Sequence, residues 1–307
     1  MPISKTEKIW MDGELVDWDD ATIHVLTHSL HYGCAVFEGI RAYSTPDGPA
    51  VFRLSDHITR LFNSAKIFMV DIPFTHAELV EATRQTVAVN GLDSCYIRPI
   101  VYLGYGEMGL NPLNCKVNVS IAVWPWGAYL GEDGSQNGVR MKISSWVRHD
   151  PNALPPAAKS SAMYINSSMA KVEVLKAGYD EAIILSPQGY VSECTGENLF
   201  VARGGRLLTP PVSAGALEGI TQRSVMTIAR DQGLDVGVAN LLRSDLYTAD
   251  EAFLTGTAAE VVPVRSVDDR TVGDGRPGPM TRQIQETYSA AVRGRVDRYK
   301  DWNEHVS

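Results

Sequence analysis

Cysteine is scarce and scattered in this chain of 307 residues: Cys34, Cys95, Cys115 and Cys194 form no Cys-x-x-Cys pair, which argues against a disulfide framework and against a zinc site. No apolar run is long enough to span a bilayer, and residues 1–18 lack the apolar stretch of a secretory signal. The expectation is a cytoplasmic protein with no membrane partner and reduced thiols. Positive charge is also short, with 28 Lys and Arg against 36 Asp and Glu and a formal net charge of -8. That balance has the wrong sign for a protein that tracks nucleic-acid phosphates. One basic cluster, Arg293, Arg295, Arg298 and Lys300, is interleaved with Asp297 and Asp301 and reads as a solvated helix. Internal repeats and low-complexity segments are absent as well. A hydrophobic content of 44% and a charged content of 21% are those of an ordinary globular protein, and the length suits about two domains.

The pattern that is present alternates strands and helices. Residues 9–16 read as a hairpin, with Asp12-Gly13 supplying the positive φ of a tight turn. Residues 36–43 read as a strand with Phe37, Gly39, Arg41 and Tyr43 on one face, and residues 96–102 as another with Tyr96 and Arg98 on one face, so the two faces are suited to line one pocket. Helices are predicted over 56–69 and 76–90, Gly91 ending the second. Residues 127–138 are glycine-rich and polar, suited to a linker between a domain over 1–126 and another over 139–307. Beyond the linker come strands over 141–146, 181–185, 197–202 and 251–255, with helices near 165–177 and after Thr221. Periodicity alone gives an α/β class and two domains.

Within this frame Lys159 stands out. It lies in Leu154-Pro155-Pro156-Ala157-Ala158-Lys159-Ser160-Ser161-Ala162-Met163-Tyr164, with small neighbours and no other charge within five residues. Desolvation frees the lone pair of a lysine for attack on a carbonyl; the bland alternative is a surface-loop lysine. Downstream, Glu193 and Glu197 sit among strand-forming residues, where an inward carboxylate needs a partner such as a protonated pyridine nitrogen. Leu217-Glu218-Gly219-Ile220-Thr221 then opens a helix with Val225, Ile228 and Ala229 on one side, and a helix start of this kind binds phosphate through its amides. An amine, a carboxylate and a phosphate cradle are the three anchors of pyridoxal 5'-phosphate.

Lys159 with Tyr164, then Glu193-x-x-x-x-Asn198-Leu199-Phe200, Leu207-x-Thr209 and Leu217-x-Gly219-Ile220, resembles the class IV pyridoxal-phosphate aminotransferases. The amino-terminal half narrows the resemblance to the branched-chain aminotransferases, through the run from Tyr32-Gly33-Cys34 to Phe37-Glu38-Gly39-Ile40-Arg41-Ala42-Tyr43, through Tyr96-Ile97-Arg98-Pro99, and through Trp124-Pro125-Trp126-Gly127-Ala128-Tyr129. It covers residues 9–288. The fold it implies has a small amino-terminal α/β domain and a larger carboxy-terminal α/β pseudo-barrel domain, with the cofactor at their interface.

Carried over position by position, the resemblance makes Lys159 the amine that holds the cofactor and moves a proton between substrate and cofactor. Glu193 becomes the partner of the ring nitrogen, Tyr164 that of the ring 3-hydroxyl, and Leu217 the residue packed on the ring. Arg60, the Ile220 and Thr221 amides and the Thr257 hydroxyl serve the phosphate. Amides of Thr257 and Ala258 receive the substrate α-carboxylate. Phe37, Gly39, Tyr129 and Ala258 form an apolar wall, and Arg98, beside Tyr96, meets the glutamate side chain at its rim. Arg41 and Trp126 join the substrate-binding set. Tyr32 and the loop with Met108 and Leu110 reach a neighbouring subunit's site, which implies at least a homodimer. The implied reaction exchanges the amino group of L-leucine, L-isoleucine or L-valine with 2-oxoglutarate; transamination of D-amino acids or (R)-amines, or an aminodeoxychorismate-lyase-like reaction, is the alternative on the same fold. Two departures stand out: Ser160 to Met163 replace the usual glycines between lysine and tyrosine, and Gln222 replaces a basic residue.

Two other motifs compete. Gly104-Tyr105-Gly106-Glu107-Met108-Gly109 matches the dinucleotide fingerprint of an oxidoreductase, but Leu110-Asn111-Pro112 follows it where a helix is required. His24, His28 and His31 have helical spacing suggestive of a metal site, yet no acidic or cysteine ligand is patterned with them, and a structural role is expected.

Overall fold

The computed structural model describes residues 3–127 and 129–306. Ala128, within the Trp124 to Tyr129 motif and the expected linker, lies outside the described residues. The chain divides into two compact units: residues 1–126, 158–162 and 291–307 form one, and residues 127–157 and 163–290 the other. The division is not the contiguous split read from composition, because the segment around Lys159 and the carboxy-terminal segment belong to the first unit. Residues 127–138, expected as a linker, belong to the second.

In the first unit the elements are β1 (Lys8–Met11), β2 (Glu14–Asp17), α1 (His28–Tyr32), β3 (Val36–Phe37), β4 (Ile40–Thr45), β5 (Gly48–Phe52), α2 (Leu54–Ile67), α3 (His76–Val89), β6 (Cys95–Leu103) and β7 (Val117–Trp124). The second unit supplies α4 (Gly131–Asn137), β8 (Val139–Val147), α5 (Tyr164–Lys176), β9 (Glu181–Leu185), β10 (Val191–Cys194), β11 (Asn198–Arg203), β12 (Arg206–Thr209), α6 (Ile220–Asp231), β13 (Asp235–Val238), α7 (Arg243–Tyr247), β14 (Glu251–Gly256), β15 (Glu260–Val267) and β16 (Arg270–Thr271). Helix α8 (Pro279–Val292) follows, and β17 (Asn303–His305) returns to the first unit.

The first sheet runs β17-β5-β4-β6-β7-β1-β2, with β3 also on β6. Asp12 and Gly13, at φ 50° and 104°, make the expected turn between β1 and β2. The predicted strand 36–43 is interrupted. Phe37 pairs with Ile100 and Ile40 with Ile97 in one register, but Glu38 between them meets Pro99, which has no N–H to donate. Glu38 still donates its own N–H to the Pro99 carbonyl at 2.9 Å. Alternation along β6 sends Cys95, Ile97, Val101 and Leu103 into the core beneath α2 and α3, where Leu54, Ile58, Leu61 and Ala65 recur at helical spacing. Tyr96 and Arg98 take the other face.

The second sheet runs β10-β9-β8-β15-β14-β11-β12-β13, with β16 on β15. It is mixed: β8 is parallel to β9 and β15, and β12 to β13. One apolar core lies on Met141, Ile183, Leu199, Leu254 and Val262, while Ala182 and Ile184 of β9 pack on Ala170 and Val174 of α5. The expected linker contains helix α4 rather than an open coil. The basic cluster near the carboxy terminus is not a regular helix either: a 3-10 stretch, Asp297–Trp302, stacks Tyr299 on Trp302 at 4.3 Å between ring centroids.

Candidate active site

In the first unit, residues 158–162 run along the edge of β3. Phe37 N–H donates to Lys159 O at 3.0 Å, Ser161 N–H donates to Ala35 O at 2.9 Å, and Val36 and Ser160 form an antiparallel bridge. Ser64 Oγ on α2 accepts the Lys159 N–H at 3.0 Å. The main chain of Lys159 is thus held on both sides. Its Nζ lies 5.2 Å from the Phe37 ring centroid, and its chain neighbours Ala158 and Ser160 are buried. Of the two serines that depart from the glycine pattern, Ser161 is accommodated, its Oγ donating to the Gly33 carbonyl at 2.9 Å, whereas Ser160 Oγ is buried with no partner among the described residues.

Arg60 is bound to Glu38, Nε to Oε1 at 2.6 Å and Nη2 to Oε2 at 2.9 Å. Glu38 is fully buried, and His57 Nδ1 donates to its Oε2 at 2.7 Å. Burial opposes ionisation of Glu38, but Arg60 and His57 outweigh it and hold the carboxyl well below the usual range. Burial pushes His57 down against the pull of Glu38, so its ring is neutral with the proton on Nδ1.

On the face of the same sheet away from α2 and α3, Arg41 pairs in register with Tyr96, and Gly39 falls opposite Arg98. A side chain at Gly39 would collide with the Tyr96 hydroxyl, so glycine is required for Tyr96 to lie where it does. Arg98 Nη2 donates to that hydroxyl at 3.1 Å, and its Cζ lies 4.7 Å from the Phe37 ring centroid. No carboxylate among the described residues pairs with Arg98, and its Nε is buried without an acceptor. Trp126 stacks near Tyr96, with centroids 4.7 Å apart. Tyr32 and Leu110 stand outward, 39% and 88% exposed.

In the second unit, Glu193 is buried. Its Oε1 accepts Nε and Nη2 of Arg148, and its Oε2 accepts Leu217 N–H at 3.0 Å. Arg148 Nη1 donates in turn to Asn166 Oδ1 and Ser167 Oγ, each at 3.0 Å. Asn198 Nδ2 holds the Leu217 carbonyl at 2.8 Å, so Leu217 is clasped from both sides just before α6. A Cβ at Gly219 would collide with Asn198 Oδ1, which makes glycine obligatory at this helix start. Gln222, where a basic residue was expected, accepts the Gly219 N–H at 3.2 Å and donates to Thr209 Oγ1 at 2.8 Å. The N-cap Gly219 has no side chain to cap the first-turn amides that follow it. Thr257 and Ala258 occupy the turn between β14 and β15, half-buried, as is Tyr164 at the start of α5; Tyr129 is 39% exposed.

A family model described as amino-transferase class IV matches residues 35–267. The chain belongs to the class IV aminotransferases. This aminotransferase is 49% identical to a branched-chain-amino-acid aminotransferase of Pseudomonas aeruginosa, over 97% of each chain, and 44% identical to one of Escherichia coli, over 100% of each. The crystal structure of an E. coli branched-chain amino acid aminotransferase superposes with a TM-score of 0.97, covering 99% of this chain and 100% of that one at 44% identity. A T.th. branched-chain amino acid aminotransferase complexed with N-(5'-phosphopyridoxyl)-L-glutamate does so at 0.95 and 46% identity, over 99% of each chain.

The cofactor of class IV aminotransferases is pyridoxal 5'-phosphate, and the residues of this aminotransferase fit it. Uncapped amides at the start of α6 suit a phosphate. The buried hydroxyl of Thr255 has no partner among the described residues. Glu193 is a buried acceptor with a lone pair beyond its bonds to Arg148 and Leu217. The residues that sequence reasoning missed are the supports: Glu38, His57 and Ser64 around Arg60 and Lys159, and Arg148 and Asn166 behind Glu193. Only Glu38 had a signal, as the one charge in the apolar Val36-Phe37-Glu38-Gly39-Ile40 run. The fingerprint at 104–109 lies in a loop with no helix after it, and His28 Nε2 bonds the Gly109 carbonyl at 2.8 Å.

Proposed function

We propose that this protein is a branched-chain amino acid transaminase, exchanging the amino group of L-leucine, L-isoleucine or L-valine with 2-oxoglutarate. When bound, pyridoxal 5'-phosphate supplies a carbonyl carbon that takes the amino group and a ring that accepts electrons. Lys159 would hold that carbon and, as a general acid and base, would move a proton at the substrate α-carbon; hydrogen bonds of its main chain with Phe37 and Ser64 fix the stem of its side chain. Glu193 keeps a proton at the ring nitrogen. Arg60, the amides of Ile220 and Thr221 and the Thr257 hydroxyl orient the phosphate, Tyr164 the ring hydroxyl, and Leu217 the ring face. Thr257 and Ala258 take the α-carboxylate.

Arg98 carries the substrate reading. A guanidinium with no carboxylate partner, laid across Phe37 and Tyr96, gives one pocket both an aromatic wall for leucine and a charge for the glutamate side chain. Gly39, Arg41, Trp126 and Tyr129 belong to the same substrate set. The four free cysteines suit a reducing, cytoplasmic compartment. The surface with Leu30, Tyr32, Met108 and Leu110 supports a homodimer, since apolar side chains this exposed call for a cover.

Absorbance titration tests the reading: the visible band of the lysine-bound cofactor should vanish with L-leucine and return with 2-oxoglutarate. A response to D-amino acids alone refutes it. Arg98→Ala should cut kcat/KM for glutamate at least ~10-fold more than for leucine, as loss of a charged hydrogen bond does; equal loss refutes the role of Arg98.

A further inference from the structure

Helix α2 carries its apolar side chains at Leu54, Ile58, Leu61 and Ala65, and a quarter turn round from them it carries His57, Arg60 and Ser64. Those three are spaced three and four apart and so share one face. Ser64 holds the Lys159 main chain at 3.0 Å, while His57 and Arg60 both reach Glu38. Glu38 sits at the interruption between β3 and β4, with its N–H on the Pro99 carbonyl at 2.9 Å and no solvent exposure. A buried ion pair is a poor source of stability, because desolvation offsets the attraction and an apolar pair of the same volume would serve as well. What such a pair does provide is direction. Pairing through Nε and Nη2 fixes the plane of the guanidinium and uses its side-on edge, so the end-on edge that includes Nη1 points away from Glu38. His57 holds Oε2 from the other side and prevents the carboxylate from rotating.

We infer that Glu38, braced by His57, is a positioning residue for Arg60, aiming its end-on edge at the cofactor phosphate, while Ser64 on the same helix face sets the Lys159 main chain, so that α2 spaces the phosphate anchor from the reactive amine. The inference rests on the cofactor reading above. Because Glu38 already neutralises Arg60, the arginine acts on the phosphate through aimed hydrogen bonds rather than net charge.

The test is equilibrium binding to the full chain stripped of cofactor, comparing pyridoxal 5'-phosphate with pyridoxal, which lacks the phosphate. Glu38→Gln keeps the shape and removes the aim. It should weaken binding of the phosphate ester ~10-fold and leave pyridoxal within about twofold, and in an Arg60→Lys background it should add less than about twofold. His57→Leu should mimic Glu38→Gln, and His57→Gln, which keeps a donor, should recover most of the affinity. If Glu38→Gln does not fold, the two His57 variants decide the matter. Unchanged or tighter binding of the phosphate ester, equal loss for both ligands, or full additivity with Arg60→Lys overturns the inference. Failure of the parent chain to bind pyridoxal 5'-phosphate would instead overturn the cofactor reading.

Discussion

Arg148 is the residue on which Glu193, the acceptor proposed for the cofactor ring nitrogen, depends, although it touches neither cofactor nor substrate in the roles proposed. It gives three nitrogens to Glu193, Asn166 and Ser167, and all of these partners are buried. Removing it leaves a carboxylate enclosed with only the Leu217 amide. Breaking a buried pair from one side costs about 3–5 kcal/mol, whereas removing both charges costs far less. Arg148→Met should therefore lower the unfolding free energy by about 3 kcal/mol, and adding Glu193→Gln should restore a large part of it. Denaturant unfolding of the two variants checks this; a double variant no more stable than the single one would show that the charge on Glu193 is not what Arg148 serves. Sequence reasoning found Glu193 because its spacing to Asn198 is distinctive. It missed Arg148 because the meeting is made by the register of β8 beside β9 and β10, which no local pattern encodes.

At the scale of elements, the hairpin at Asp12-Gly13, helices α2 and α3 and the strand β6 were legible, because each has its own period, with Asp12-Gly13 marking the turn and Gly91 the end of α3. What local signals did not convey was pairing. Strand 36–43 reads as continuous until Pro99 of the neighbouring strand removes a donor opposite Glu38. The segment at 127–138 has the composition of a linker yet forms helix α4, since Gly134 lies against Val139 where a larger side chain would crowd. The loop after β6 and the segment around α1 are likewise joined by contacts of long range: His28 Nε2 to the Gly109 carbonyl at 2.8 Å, and the His24 and Tyr105 rings at 4.3 Å. Together they expose Val25 at 70%, Leu30 at 61% and Leu110 at 88%. Buried against a second copy, one leucine contributes about 1.5–3 kcal/mol, and an aspartate in its place would bring an unpaired charge into the contact. In the proposed homodimer, Leu110→Asp should raise the dimer dissociation constant ~10-fold or more. Sedimentation velocity across a dilution series reads this directly, and an unchanged dimer would remove the loop from the interface.

For the molecule as a whole, two buried carboxylates set opposite limits on stability against pH. Glu38, in the first unit, titrates well below its ordinary value of 4.5, so its contribution is present above that pH and fades as acid is added. Glu197, in the second unit, behaves in the reverse sense: burial first, and then the neighbouring Glu181, push it up to about 8, while Lys171 pulls only partly the other way. Glu181 has Lys171 at 2.6 Å and the Thr195 hydroxyl at 2.7 Å, whereas Glu197 has the amide of Gly196 at 3.1 Å. In the folded chain Glu197 keeps its proton up to about pH 8, and in the unfolded chain it loses it near 4.5, so folding grows less favourable as pH rises through that interval. Glu197→Gln, a neutral isostere, removes the dependence. Its stability relative to the parent should rise by about 3–4 kcal/mol between about pH 5 and pH 8, measured by urea unfolding at fixed protein concentration so that association does not enter the comparison. A variant that tracks the parent at both pH values would mean that Glu197 ionises in the folded chain as it does in water, and the alkaline limit would then have to arise elsewhere.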